Sequence, residues 1–171
     1  MTVTKEAPKN ASAPPSMLST LTVNVAFLRE IKEASEELWQ LLDNLKSLRM
    51  RPISIHMHPR HAVELLEQLQ DQLALYFTLE EYYGYFKDPM EVDPRLSERA
   101  DALRTEHQTL YLDLCGIVDR AERLLDQRKL ASLTRHIVLR FGAFHEQLKS
   151  HETREDELII ESLDDDIGVG D

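Results

Sequence analysis

Residues 141–159 read FGAFHEQLKSHETREDELI, and at helical spacing Phe141, Phe144, Leu148, His151, Glu155 and Leu158 follow one another in alternating steps of three and four. Positions so spaced share one face of an α-helix. Four of them are apolar, so the face belongs to a core; the other two are a histidine and a carboxylate one turn apart. A polar pair on a core seam needs partners. Either it pairs with neighbouring polar groups or it holds a metal ion, for which imidazole and carboxylate are both ligands. The helical pattern that carries the seam extends over residues 130–163.

Upstream of a short turn at residues 126–129, a second seam runs Leu103, His107, Leu110, Leu114, Ile117, Ala121 and Leu124, with His107 its one ionisable member. Its helix starts at Asp93-Pro94, an N-cap followed by proline at the first helical position. Before the break at residues 87–92, a third seam contains Ala62, Leu66, Leu69, Leu73, Tyr76, Glu80 and Tyr83, again with one carboxylate among apolar positions. Residues 51–59 (RPISIHMHP) read as a connection, with Pro59 suited to the first turn of the helix that follows. The first helix covers residues 18–50, with Leu28, Ile31, Leu38, Leu42 and Leu45 on its stripe and Ser35 where a larger residue would continue it.

Four amphipathic helices joined by short connections predict an all-α fold, an up-down-up-down four-helix bundle over residues 18–163. Residues 1–17 read as a disordered N-terminal tail and 164–171 as an acidic C-terminal tail. His107 and His151 lie about equally far from the turn between their helices, and Ser35 and Tyr76 are placed similarly about theirs. At ~1.5 Å rise per residue each pair should meet at one height along the bundle. The polar interruptions therefore converge. Ser35 followed by Tyr76-x-x-x-Glu80 in the first half matches His107 followed by His151-x-x-x-Glu155 in the second, as in a duplicated helical hairpin.

Composition narrows the function classes. A net charge of −11 argues against nucleic acid or an anionic membrane as partner, since both want a basic face. No apolar run is long enough to span a bilayer and no secretory signal is legible, so a cytoplasmic protein is expected. The single cysteine, Cys115, supports neither an intrachain disulfide nor a Cys-rich metal site, and reads as a buried, inert thiol.

The chain resembles the hemerythrin-like, HHE cation-binding family over about residues 23–162. The best local matches are EIKEASEEL (30–38), YFTLEEYYGYF (76–86), LRTEH (103–107) and SHETREDELI (150–159). That family is a four-helix bundle holding a non-haem di-iron centre through two His…His-x-x-x-Glu repeats. The resemblance implies metal-ligand roles for Glu80, His107, His151 and Glu155, and places Ser35 and Tyr76 on ligand positions where they depart from the pattern. Tyr76 is a candidate phenolate ligand or, when neutral, a hydrogen-bonded core tyrosine. With imidazoles on one side only, one ion of non-haem iron is expected ahead of two, with zinc and manganese suited to the same donors and a metal-free centre as the alternative. The partners so implied are a metal ion and dioxygen, in sensing, storage or scavenging. No residue is assigned a catalytic role, and di-iron oxidase chemistry stands as the weaker alternative.

Other features read as structural. His56, His58 and His61 are surface histidines of the connection, His136 and His145 fall off the inward row, and the run ETREDE (152–157) is a solvated face. The aromatic cluster YYGYF (82–86) caps one end of the core.

Overall fold

The computed structural model describes residues 22–86 and 94–168, and these are helical apart from one two-residue antiparallel pairing, β1 (Thr22–Val23) against β2 (Tyr85–Phe86). The helices are α1 (Val25–Ala34), α2 (Glu36–Arg49), α3 (Pro52–Met57), α4 (Pro59–Leu79), α5 (Pro94–Asp126), α6 (Leu130–His136) and α7 (Gly142–Gly168). The segment read as a tail, residues 1–17, and the break at 87–92 lie outside the described residues.

The all-α class is as expected, but the helices are more interrupted than periodicity predicts. Of the stretch expected as one helix, the described residues 22–50 do not make one rod. Ser35 leaves helical geometry at φ −85°, ψ 42°, and its hydroxyl donates to the Ile31 carbonyl at 2.7 Å, so it cannot cap α2. A serine that bonds back one turn competes with the helical ladder, and here the chain breaks at that point. Asn24 caps α1 through its side chain, which accepts from the Phe27 N–H at 3.2 Å. The stretch read as a connection is largely helical too, since Pro52 and Pro59 open α3 and α4. Between α5 and α6, Arg128 takes a left-handed φ of 55° while the N–H groups of Lys129 and Arg128 donate back to Leu124 and Leu125. That is the Schellman closure of a helix C-terminus. α7 continues to Gly168, five residues past the expected end, so residues 164–168 extend the helix instead of leaving it.

Two π-turns interrupt the ladder, at Glu80–Gly84 after α4 and at Ile137–Phe141 between α6 and α7. The first changes what is buried. The extra residue in the turn rotates everything after it, so Tyr83 is 46% exposed while Tyr85 is 3% exposed and faces the core. The expected aromatic cap is therefore corrected: Tyr82 and Tyr83 face outward and Tyr85 alone of the three tyrosines enters.

Successive long helices pack antiparallel. Trp39 meets Tyr76 while Asn24 meets Gly84; Gln70 meets Cys115 while Phe77 meets His107; Asp113 meets Arg140 while Arg99 meets Glu161. Lys32 of α1 reaches α7 and closes the circuit. The seams of residues 28–45, 62–80, 103–124 and 141–158 all lie inward, their apolar members buried. Their contacts form two clusters. The larger includes Leu45, Leu66, Leu114, Phe141 and Leu148, and the smaller gathers Leu28, Tyr85, Leu96, Leu103 and Leu158. Between them lies a buried polar layer of Glu80, His107, His151 and Glu155. No described helix is long and apolar enough to cross a membrane.

Candidate metal centre

Each member of the polar layer comes from a different turn of the helical frame: Glu80 opens the π-turn after α4, His107 is in the middle of α5, and His151 and Glu155 lie one turn apart on α7. All four are at most 1% exposed. His107 Nε2 stands 3.5 Å from Glu80 Oε2 and 3.6 Å from Glu155 Oε1, and His151 Nε2 stands 3.5 Å from the same Glu155 oxygen. These separations are long for hydrogen bonds. They suit a shared ion, because tetrahedral ligands about 2.1 Å from a metal stand about 3.4 Å from one another. One ligand atom from each of His107, His151 and Glu155 falls within a 4.8 Å group.

The histidines are oriented from behind. His107 Nδ1 faces Glu81 Oε1 at 3.2 Å, and His151 Nδ1 faces Glu106 Oε2 at 3.2 Å. A carboxylate only accepts, so each Nδ1 carries a proton, and in the neutral imidazole this leaves the Nε2 lone pair directed into the layer, the arrangement in which imidazole serves as a ligand. Glu106 is itself gripped by both terminal nitrogens of Arg154 at 2.6 Å, which holds its carboxyl below the usual carboxylate range. Phe77 stacks on the His107 ring at 4.1 Å and 5°, and the two imidazoles meet edge to face at 5.0 Å.

On the inner side, His107 Nε2, His151 Nε2 and both Glu80 oxygens have no hydrogen-bond partner. An unsatisfied buried polar atom costs about 1–3 kcal/mol, so four facing one layer favour a common partner. The electrostatics agree. Burial, reinforced by the Glu155 and Glu152 carboxylates, pushes Glu80 well above the usual range. Burial also opposes ionisation of Glu155, but the two histidines and Lys32 outweigh it and hold Glu155 well below its usual range. For His151 burial opposes protonation, and the Glu155 carboxylate overrides it, raising the imidazole. A divalent cation among these groups would neutralise the carboxylates directly and release the proton from Glu80. The donor set of two imidazoles and two carboxylates fits such an ion.

The first half of the layer is built differently. Ser35 and Tyr76 line one groove between α1, α2 and α4, as their matched heights predict. Tyr76 instead donates its hydroxyl to Glu152 Oε2 at 3.1 Å. Burial and the nearby carboxylates raise its phenol far above the ordinary value, which favours the neutral, hydrogen-bonding form of Tyr76 over the phenolate. Lys32, one turn before Ser35, sends its ammonium to Glu152, to Glu155 Oε2 at 3.0 Å and to Asp156 at 3.6 Å. Burial would lower the lysine, but Glu152 and Glu155 overcome it and keep it charged. Tyr85 donates its hydroxyl to Glu155 Oε1.

Sequence reasoning thus finds Glu80, His107, His151 and Glu155 and misses Lys32, Glu81, Tyr85, Glu106 and Glu152. The acidic run 152–157 is not wholly a solvated face, because Glu152 is 13% exposed and holds both Lys32 and Tyr76. No helical spacing marks Tyr85, which the π-turn brings inward; Glu106 carries a faint signal as the neighbour of a seam histidine. His56, His58 and His61 are exposed around the α3–α4 junction, and His136 bonds the Ile117 carbonyl at 2.9 Å, both consistent with structural roles. Cys115 is half-buried, its sulfur accepting from Gln70 at 3.1 Å. No protein-family model, curated protein or solved structure matches the chain, so the reading of this centre rests on its geometry.

Proposed function

We propose that the chain is a hemerythrin-like up-down-up-down four-helix bundle that binds one divalent cation, non-haem iron before zinc or manganese, through His107, His151, Glu155 and Glu80. Its role is sensing, storage or scavenging of metal or oxygen. The observation that carries this reading is the pair of Nδ1-anchored histidines whose Nε2 atoms, together with both Glu80 oxygens, converge without hydrogen-bond partners. The antiparallel packing of the long helices supports the bundle assignment. A bound ion would supply Lewis acidity and, if iron, a redox couple; the chain's own part is to bind it, orient the imidazoles and bury the site. Metal analysis of the untagged protein tests this. One equivalent is expected in the wild type and a loss of at least tenfold in occupancy in His107→Ala and His151→Ala, whereas metal content insensitive to both substitutions sinks the assignment.

A second reading, a metal-free structural or protein-interaction module, is favoured by one observation: Lys32 and Tyr76 satisfy the first half of the layer with ordinary ion pairing and hydrogen bonding. Under it, chelator and added metal leave thermal unfolding unchanged.

A further inference from the structure

Glu155 divides its two oxygens between two neighbourhoods. Oε1 faces His107 and His151, while Oε2 faces the Lys32 ammonium at 3.0 Å. A carboxylate shared between two cations makes this arrangement, one oxygen to each. Lys32 is also held in place: it lies one turn before the helix break, its carbonyl accepts from the Trp39 indole at 3.2 Å, and its side chain is 13% exposed with the ammonium against Glu152. Tyr76 completes the pocket by donating to the same Glu152 oxygen that Lys32 contacts.

Resting on the single-ion reading above, we propose that the Lys32 ammonium serves as the second cation of this centre and thereby limits its capacity to one divalent ion. Glu80, Glu152 and Glu155 are the three carboxylates of low exposure about the layer and Lys32 is its ammonium, whereas Glu106 is paired with Arg154, and Glu81 and Asp156 are 48% and 63% exposed and screened by solvent. With all three ionised, two negative charges remain, the complement of one divalent ion held by two neutral imidazoles. A second divalent ion would meet Lys32 at contact distance and leave the layer net positive in a medium where unbalanced charge is costly. Lys32 is thus a specificity-determining residue: it sets how many ions the centre takes while donating no ligand atom.

Removal of the ammonium should reopen the pocket, because Glu152, Glu155 and Tyr76 then present oxygens to an ion. The full chain, its Lys32→Arg variant and its Lys32→Ala variant are loaded with ferrous iron under anaerobic conditions and counted by native mass spectrometry. One ion is expected in the wild type and in Lys32→Arg, and two in Lys32→Ala, a twofold rise. One ion in folded Lys32→Ala overturns the proposal while leaving the single-ion centre standing; no ion in the wild type overturns the centre itself and the proposal with it. Where Lys32→Ala folds only with metal, the equivalents needed for cooperative refolding are read instead, two expected and one overturning. Failure to fold at any iron concentration also counts against it, since a divalent ion would then be unable to take the ammonium's place.

Discussion

Glu106 and His145 show how far a residue's role depends on what stands behind it. Glu106 touches no reacting atom, yet through His151 Nδ1 it sets the direction of a candidate ligand, and Arg154 locks it in turn. Such outer partners are typically worth about 10–100-fold in metal affinity. Glu106→Ala should therefore weaken iron or zinc binding by about tenfold or more with the fold intact, as read by chelator competition; affinity unchanged within twofold would refute the positioning role. His145 is a contrasting case, a half-buried histidine whose Nδ1 has no hydrogen-bond partner and only a long 3.9 Å approach to Glu146. Burial holds its pKa below the ordinary range, so the folded chain takes up this proton less readily than the unfolded chain. Its contribution to stability is kept above about pH 6.5 and is lost as pH falls below that value. His145→Leu removes this component, and its melting temperature should fall less steeply between about pH 6.5 and 5.5 than that of the wild type. Parallel curves would show that His145 does not contribute.

At the scale of elements, the π-turn at Glu80–Gly84 joins the candidate centre to the fold. It places Glu80 at its start, turns Tyr83 outward and delivers Tyr85 to Glu155. α1 presses against it: the Asn24 N–H donates to the Gly84 carbonyl at 2.7 Å, and a Cβ on Gly84 would come within 2.7 Å of Leu28 Cγ. Leu28 is fully buried and has little room to yield. Gly84→Ala should cost about 1–3 kcal/mol, an overpacking penalty. At about 2–4 °C per kcal/mol for a chain of this size, the melting temperature should drop by several degrees. A neutral result would mean that α1 can lift away from the turn.

For the molecule as a whole, the polar layer separates two apolar clusters, so its satisfaction bears on the stability of both. Any ligand that binds only the folded chain stabilises it, by about 2.7 kcal/mol at a free concentration a hundred times its dissociation constant. Saturating ferrous iron or zinc should accordingly raise the melting temperature by roughly 5–10 °C, chelator should reverse the rise, and His107→Ala should abolish it. A transition indifferent to metal would favour the metal-free module.

The sequence by itself determined the helical class, the inward seams and the four residues of the polar layer. Helical periodicity places a side chain on a face with no knowledge of its neighbours, so His107, His151, Glu155 and Glu80 were legible from their spacing within apolar rows. Distances from the turns were enough to bring the two histidines together. Only the tertiary structure decided what occupies the other half of the layer. Lys32 and Glu152 lie off the seams and meet across helices far apart in sequence, and charged residues at such positions are usually solvated. Tyr85 enters only because a π-turn shifts the register by one residue, which breaks the periodicity that sequence reading relies on. The seam showed a histidine and a carboxylate sharing a face; packing gave each imidazole a carboxylate behind it and set a lysine beside the glutamate.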